Sequence, residues 1–172
     1  MKNTLDRLHG HLKIETINKE TGAVIDLFED KNLFLDLGKT SVVRGIGDVT
    51  TNYCVENLRF GNDFGDPGSF SIFVPEDAQL DFDSVTQDEV FTISRPALQA
   101  TYPNFETVEF STLLDGNEIL DQYPGEVDVR YTSVALYNFL NDPIAYRRFS
   151  IRSISRLVSV NVTWSLSFEE PV

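Results

Sequence analysis

The sequence predicts an all-β fold: a single antiparallel β-sandwich, jelly-roll-like, with one short helix near residues 33–46. Three observations predict it. Val158, Val160, Val162, Trp164, Leu166 and Phe168 alternate strictly with Ser159, Asn161, Thr163, Ser165 and Ser167, the period-two pattern of a strand with one buried and one wet face. Thirteen Phe and six Tyr stand against one Met, and planar side chains pack well on a pleated surface. Short apolar runs are separated by Gly, Pro, Asn and Asp clusters, without the alternating helices of an α/β chain.

The elements follow in order. Residues 1–10 are polar and mixed in charge and read as an N-terminal arm, leaving 11–170 as the single domain. Leu12, Ile14 and Thr16 alternate with polar neighbours, Asn18 to Gly22 turns, and Val24 to Phe28 returns as a hairpin. Leu33 and Leu37, with Val43, share one helical face, and Gly38, Gly45 and Gly47 keep that helix short. Val55 to Phe60 reads as a strand with Leu58 and Phe60 on one side. Residues 61–68 are dense in turn formers, Ser69 to Val74 is a short strand stopped by Pro75, and Glu76 to Asp88 is an acidic excursion. Val90 to Ile93 and Phe105 to Leu114 are strands, the second closed by Asp115-Gly116-Asn117. After the turn at Pro124-Gly125, Val127, Val129 and Tyr131 alternate. The last strand, roughly 36 Å long at about 3.3 Å per residue, belongs at the centre of the fold. The core expected from this reading is Phe60, Val160, Val162, Trp164, Leu166 and Phe168.

The 172 residues are 41% hydrophobic, enough for a core that buries roughly 70% of the unfolded surface. A net charge of −13 argues against nucleic acid, whose recognition needs clustered cations, and against an anionic membrane surface. No apolar run approaches the ~20 residues of a membrane-spanning helix, and no apolar segment follows the charged first residues as a secretory leader requires. Cys54 is the single cysteine, which fits a reducing compartment, and between Tyr53 and Val55 it reads as a small buried apolar residue.

Charge is segregated along the chain. From Gly61 to Asp128 there are fifteen acids against one base, Arg95; from Val129 to Phe168 there are Arg130, Arg147, Arg148, Arg152 and Arg156 against one acid, Asp142. Two readings follow. Either the acids are solvated and the arginines pair within the fold, or an acidic face bearing Asp77, Asp81 and Asp83 meets the arginine face of the next copy, since arginine is favoured at interfaces.

Catalytic patterns are thin, and the chain is expected not to be an enzyme and to take no cofactor. There is no GxSxG elbow, Walker loop, HExxH or CxxC. His9 and His11 share a side of an extended segment, but nothing completes a metal site around them. The acids of residues 62–66 and of Glu76, Asp77, Asp81 and Asp83 miss the EF-hand spacing. Glu76/Asp77 and Glu106/Glu109 are carboxylate pairs with no sugar groove around them. Asn161-Val162-Thr163 matches a glycosylation sequon but lies inside a strand. Tyr102, Phe105, Tyr123 and Phe64 are the aromatics that a carbohydrate-binding surface would use.

The order of segments carries more information than any motif. Phe28-Glu29-Asp30-Lys31-Asn32-Leu33 runs into Gly38-Lys39-Thr40, and Leu58-Arg59-Phe60-Gly61-Asn62-Asp63 follows. Later come Thr132-Ser133-Val134-Ala135-Leu136-Tyr137-Asn138, Tyr146-Arg147-Arg148-Phe149 and Trp164-Ser165-Leu166-Ser167-Phe168. This series resembles the small β-sandwich virion structural proteins of tailed bacteriophages. The resemblance covers both ends of the chain well and the middle, about 62–104, poorly. It implies a non-enzymatic particle subunit made in the host bacterial cytoplasm, associated with the tail, neck or baseplate, or decorating the head. Its expected partners are other virion proteins and further copies of itself, with no nucleic acid and no membrane.

Overall fold

The computed structural model describes residues 8–47, 52–61, 89–94 and 97–168. In chain order the elements are β1 (Leu8–Asn18), β2 (Val24–Phe34), α1 (Asp36–Gly47), β3 (Val55–Gly61), β4 (Glu89–Ser94), β5 (Gln99–Asn104), β6 (Thr107–Asp115), α2 (Gly116–Leu120), β7 (Asp128–Asn138), β8 (Pro143–Ser155) and β9 (Val158–Phe168). The fold is all-β, with two antiparallel sheets, in keeping with the sandwich class that the sequence predicts. The chain forms two compact units. The first takes the stretches up to Asn32, from Arg95 to Arg130 and from Arg152 onward; the second takes Leu33–Ser94 and Tyr131–Ile151.

In the first unit the strands run β2-β1-β9-β6-β5. β9 lies between β1 and β6, so its pattern is read on both sides. Leu12 and Phe110 flank Trp164, Ile14 and Thr112 flank Val162, and Thr16 and Leu114 flank Val160. All nine are buried, and Trp164 is fully enclosed at 0% exposure. The other face is half-wet: Lys13, Thr163 and Ser111 form one row, and Glu15, Asn161 and Leu113 the next. A one-residue slip would exchange these faces, so burial fixes the register. The β1–β2 turn is closed by Asn18, whose Oδ1 accepts from the N–H groups of Glu20 (2.9 Å) and Thr21 (3.0 Å). Gly22 takes the positive φ of 70° there, where a Cβ would be strained.

α2 was not anticipated; the sequence reads Asp115-Gly116-Asn117 only as a turn. Asp115 is the N-cap, its carboxylate accepting from the Asn117 N–H at 2.7 Å. Ile119 and Leu120 fix the single turn by burial. Gly116 lies so close to the strand ends that a Cβ would stand 1.9 Å from the Ser155 carbonyl oxygen.

In the second unit the order is β4-β3-β7-β8, with β8 meeting the last residues of β2 at Leu33 and Phe34. β7 is buried on both faces from Tyr131 to Asn138, so it lacks the alternation by which a half-exposed strand is recognised. Phe60 stacks on Phe91 at 4.3 Å, and Tyr131 meets Phe60, Phe91 and Phe149 edge-on at 5.3 to 6.2 Å. Leu35, Ala135, Tyr137 and Tyr146 form a second buried cluster. Asn138 ties α1 to the β7–β8 turn. Its Nδ2 donates to Ser41 Oγ (3.1 Å) and Asp142 Oδ2 (3.3 Å), and its Oδ1 accepts from the Leu140 and Asp142 N–H groups, both at 2.9 Å.

Three readings are corrected. Leu8 to Gly10, assigned to the arm, begin β1, because Leu8 pairs with Phe168 and is buried. The helix starts at Asp36, since Leu33 and Phe34 continue β2 against β8. Cys54 is exposed, in the turn that leads into β3. The strand and excursion expected over 62–88 lie outside the described residues.

Candidate functional site

The residues proposed from the sequence as an interface are divided between the two units and a stretch outside the described residues. Arg130 is exposed and lies 3.5 Å from Asp128. Arg156 donates to Asp121 at 2.7 Å. Arg152 donates to Asp26, and its guanidinium lies over the Phe28 ring, 5.3 Å from the centroid. These three pairs lie within the first unit, which is the internal-pairing alternative. Arg147 and Arg148 are half-buried on β8 in the second unit. Asp77, Asp81 and Asp83 lie outside the described residues, as do Phe64 and the Glu76/Asp77 pair. Phe60, Val160, Val162, Trp164 and Leu166 are buried as core, and only the backbone of Phe168 is described.

Two surface features of the first unit gather functional side chains. One is a polar cluster where the β1–β2 turn meets the start of α2. Lys19 Nζ donates to Asp115 Oδ1 at 2.6 Å and to the Arg156 carbonyl at 3.3 Å, while its backbone N–H bonds Leu157 O at 3.0 Å. The Lys19 hydrogen bond, joined by the Asn117 N–H, holds the Asp115 carboxyl below its ordinary value. On the half-wet face Lys13 bridges to Glu15 at 2.8 Å, and Asn161 donates to Glu15 at 3.0 Å. The Lys13 and then the Asn161 hydrogen bond lower the Glu15 carboxyl, and the same Glu15 contact raises the Lys13 ammonium. The Asn161 side chain of the sequon is engaged by that bond.

The second feature is the β5–β6 hairpin. β5 is the terminal strand of its sheet, paired only with β6 among the described residues. Five of its six residues are exposed, so both of its faces are wet. Tyr102 is 77% exposed and Phe105 wholly so. Asn104 shapes the tip, its Oδ1 accepting from the Glu106 N–H at 2.9 Å. Sequence reasoning missed β5 because a strand wet on both faces and containing Pro103 has no period-two signal; the cue it left is a pair of large rings in a polar stretch. Tyr123 is half-buried.

Among the described residues no group of three or more His, Cys, Asp or Glu side chains is placed to hold a metal ion. His9 is half-buried on β1, and His11 lies 3.4 Å from Glu29. Glu109 accepts from Ser165 at 3.3 Å. No helix among the described residues is long and apolar enough to cross a membrane. Compared with family models, curated proteins and solved structures, the chain finds no match.

Proposed function

We propose that this chain is a non-enzymatic structural subunit of a tailed-phage particle, associated with the tail, neck or baseplate and working with other copies and other virion proteins. The observation that carries the reading is where the resembling segments fall. Phe28–Leu33 lies in β2, Leu58–Gly61 in β3, Thr132–Asn138 in β7, Tyr146–Phe149 in β8 and Trp164–Phe168 in β9. These are framework strands of both sheets; of the remaining resembling residues, Gly38–Thr40 lie in α1 and Asn62 and Asp63 outside the described residues. Mass spectrometry of purified particles, followed by immunogold labelling, tests it. Gold on the tail, neck or baseplate is the expected result. Gold on the head surface would make the chain a capsid decoration protein, and absence from the particle would retire both readings.

A second reading has a specific observation behind it: Tyr102 and Phe105 are exposed rings in a polar hairpin, the kind of surface a host-surface carbohydrate-binding module uses. Binding on a glycan array that is lost in Phe105→Ser would establish it. No binding on the array removes it.

A further inference from the structure

Among the described residues the first unit's sheet ends at β5, while on its other side β2 is followed by β8. Over residues 24–31, β2 carries Asp26, Glu29, Asp30 and Lys31, four charges in eight residues, and Arg152 of β8 reaches Asp26 and the Phe28 ring there. Charges on an edge strand are the usual guard against pairing with another copy. At the β5 edge, the nine residues Ala97 to Phe105 carry no charge. In a chain of net charge −13, most surfaces repel their own copy, and a neutral edge is where two copies approach without bringing acid against acid. That edge also shows the large apolar groups that association would cover, Tyr102 and Phe105. Pro103 removes one backbone donor and shortens the pairing, leaving Gln99 to Tyr102 as the stretch with a full set of donors.

We infer that β5 is a self-association edge: two copies pair their β5 strands antiparallel across a two-fold axis, joining their sheets, with Tyr102 and Phe105 packing against the partner copy. The occupant is a second copy of this chain, because edge pairing is satisfied by an identical neutral strand. This deepens the particle-subunit reading and rests on it for its biological setting, but the contact is testable on purified protein alone.

The experiment is light scattering and sedimentation of the full chain over a concentration series, beside Thr101→Lys, Phe105→Ser and an exposed control on β2, Leu27→Lys. All three sites are exposed, and circular dichroism confirms that each variant is folded. The expected result is a concentration-dependent dimer whose dissociation constant rises at least tenfold in Thr101→Lys and Phe105→Ser and is unchanged in Leu27→Lys. A chain that stays monomeric throughout, a dimer indifferent to both β5 variants, or one disrupted by Leu27→Lys instead would overturn the inference. Each of these outcomes is independent of whether the chain is found in purified particles, so failure here and failure of the particle reading are told apart.

Discussion

Trp164 is the residue on which the first unit turns. It sits on the central strand between Leu12 and Phe110, fully buried. Truncating such a ring removes its transfer free energy and leaves a cavity that neighbours on two strands cannot close. Trp164→Ala should therefore cost about 3–5 kcal/mol, read as a lowered midpoint in urea or as loss of soluble protein; a parent-like melt would place the ring outside the core. Its indole N–H has no partner among the described residues, so Trp164→Phe should cost much less than the alanine change, since no hydrogen bond is given up. Gly116 is the opposite kind of residue, needed for what it lacks. A methyl there would press on the Ser155 and Val158 carbonyls at 1.9 and 2.6 Å, both fixed backbone atoms. Gly116→Ala should destabilise by about 1–3 kcal/mol, whereas the same change at Gly47, where a Cβ would meet nothing within 4 Å among the described residues, should have little effect on the melting temperature.

At the scale of elements, the Lys19–Asp115 contact joins the β1–β2 turn to the N-cap of α2. Because the folded carboxyl of Asp115 is held below its ordinary value by Lys19 first and Asn117 second, its contribution is present above the unfolded pKa. It is lost as pH falls through the folded one, below about pH 4. Glu15, lowered by Lys13 and Asn161, acts with the same sign. Asp115→Asn should thus flatten the fall in stability below about pH 4 and leave the slope near neutrality unchanged, as measured by urea titrations at stepped pH. The partner of Asp115 is 96 positions away, and that of Arg152 is 126 positions away; no local pattern announces such pairs, so the arginines' internal partners were not legible in the sequence. The β1–β2 hairpin and β9 were legible, because each has one buried face, and burial writes a period of two into the chain. β7, buried on both faces, was seen only at its start. β5, wet on both, left no alternation, and α2 is a single turn held by the burial of Ile119 and Leu120 rather than by helical propensity.

At the scale of the whole molecule, the first unit is assembled from three stretches of chain and the second from two, with β2, β7 and β8 contributing to both. Cutting the chain at a unit boundary would sever strands, so assembly has to be tested on the complete protein. Its charge then decides how association responds to salt. Were copies joined by an acidic face meeting an arginine face, salt would screen the attraction and dissociate them. Arg130, Arg152 and Arg156, however, already face acids of their own unit, and two copies of net charge −13 repel each other overall. Pairing through the neutral β5 edge works against that repulsion, which extends about 10 Å at 0.1 M salt and only about 3 Å at 1 M. Raising sodium chloride from low to high concentration should therefore strengthen the dimer, lowering its dissociation constant several-fold in light scattering. The Thr101→Lys variant should stay monomeric across the series, since salt removes repulsion without restoring an edge into which a lysine has been placed. An oligomer that dissolves as salt rises would instead require the arginine-to-acid contact.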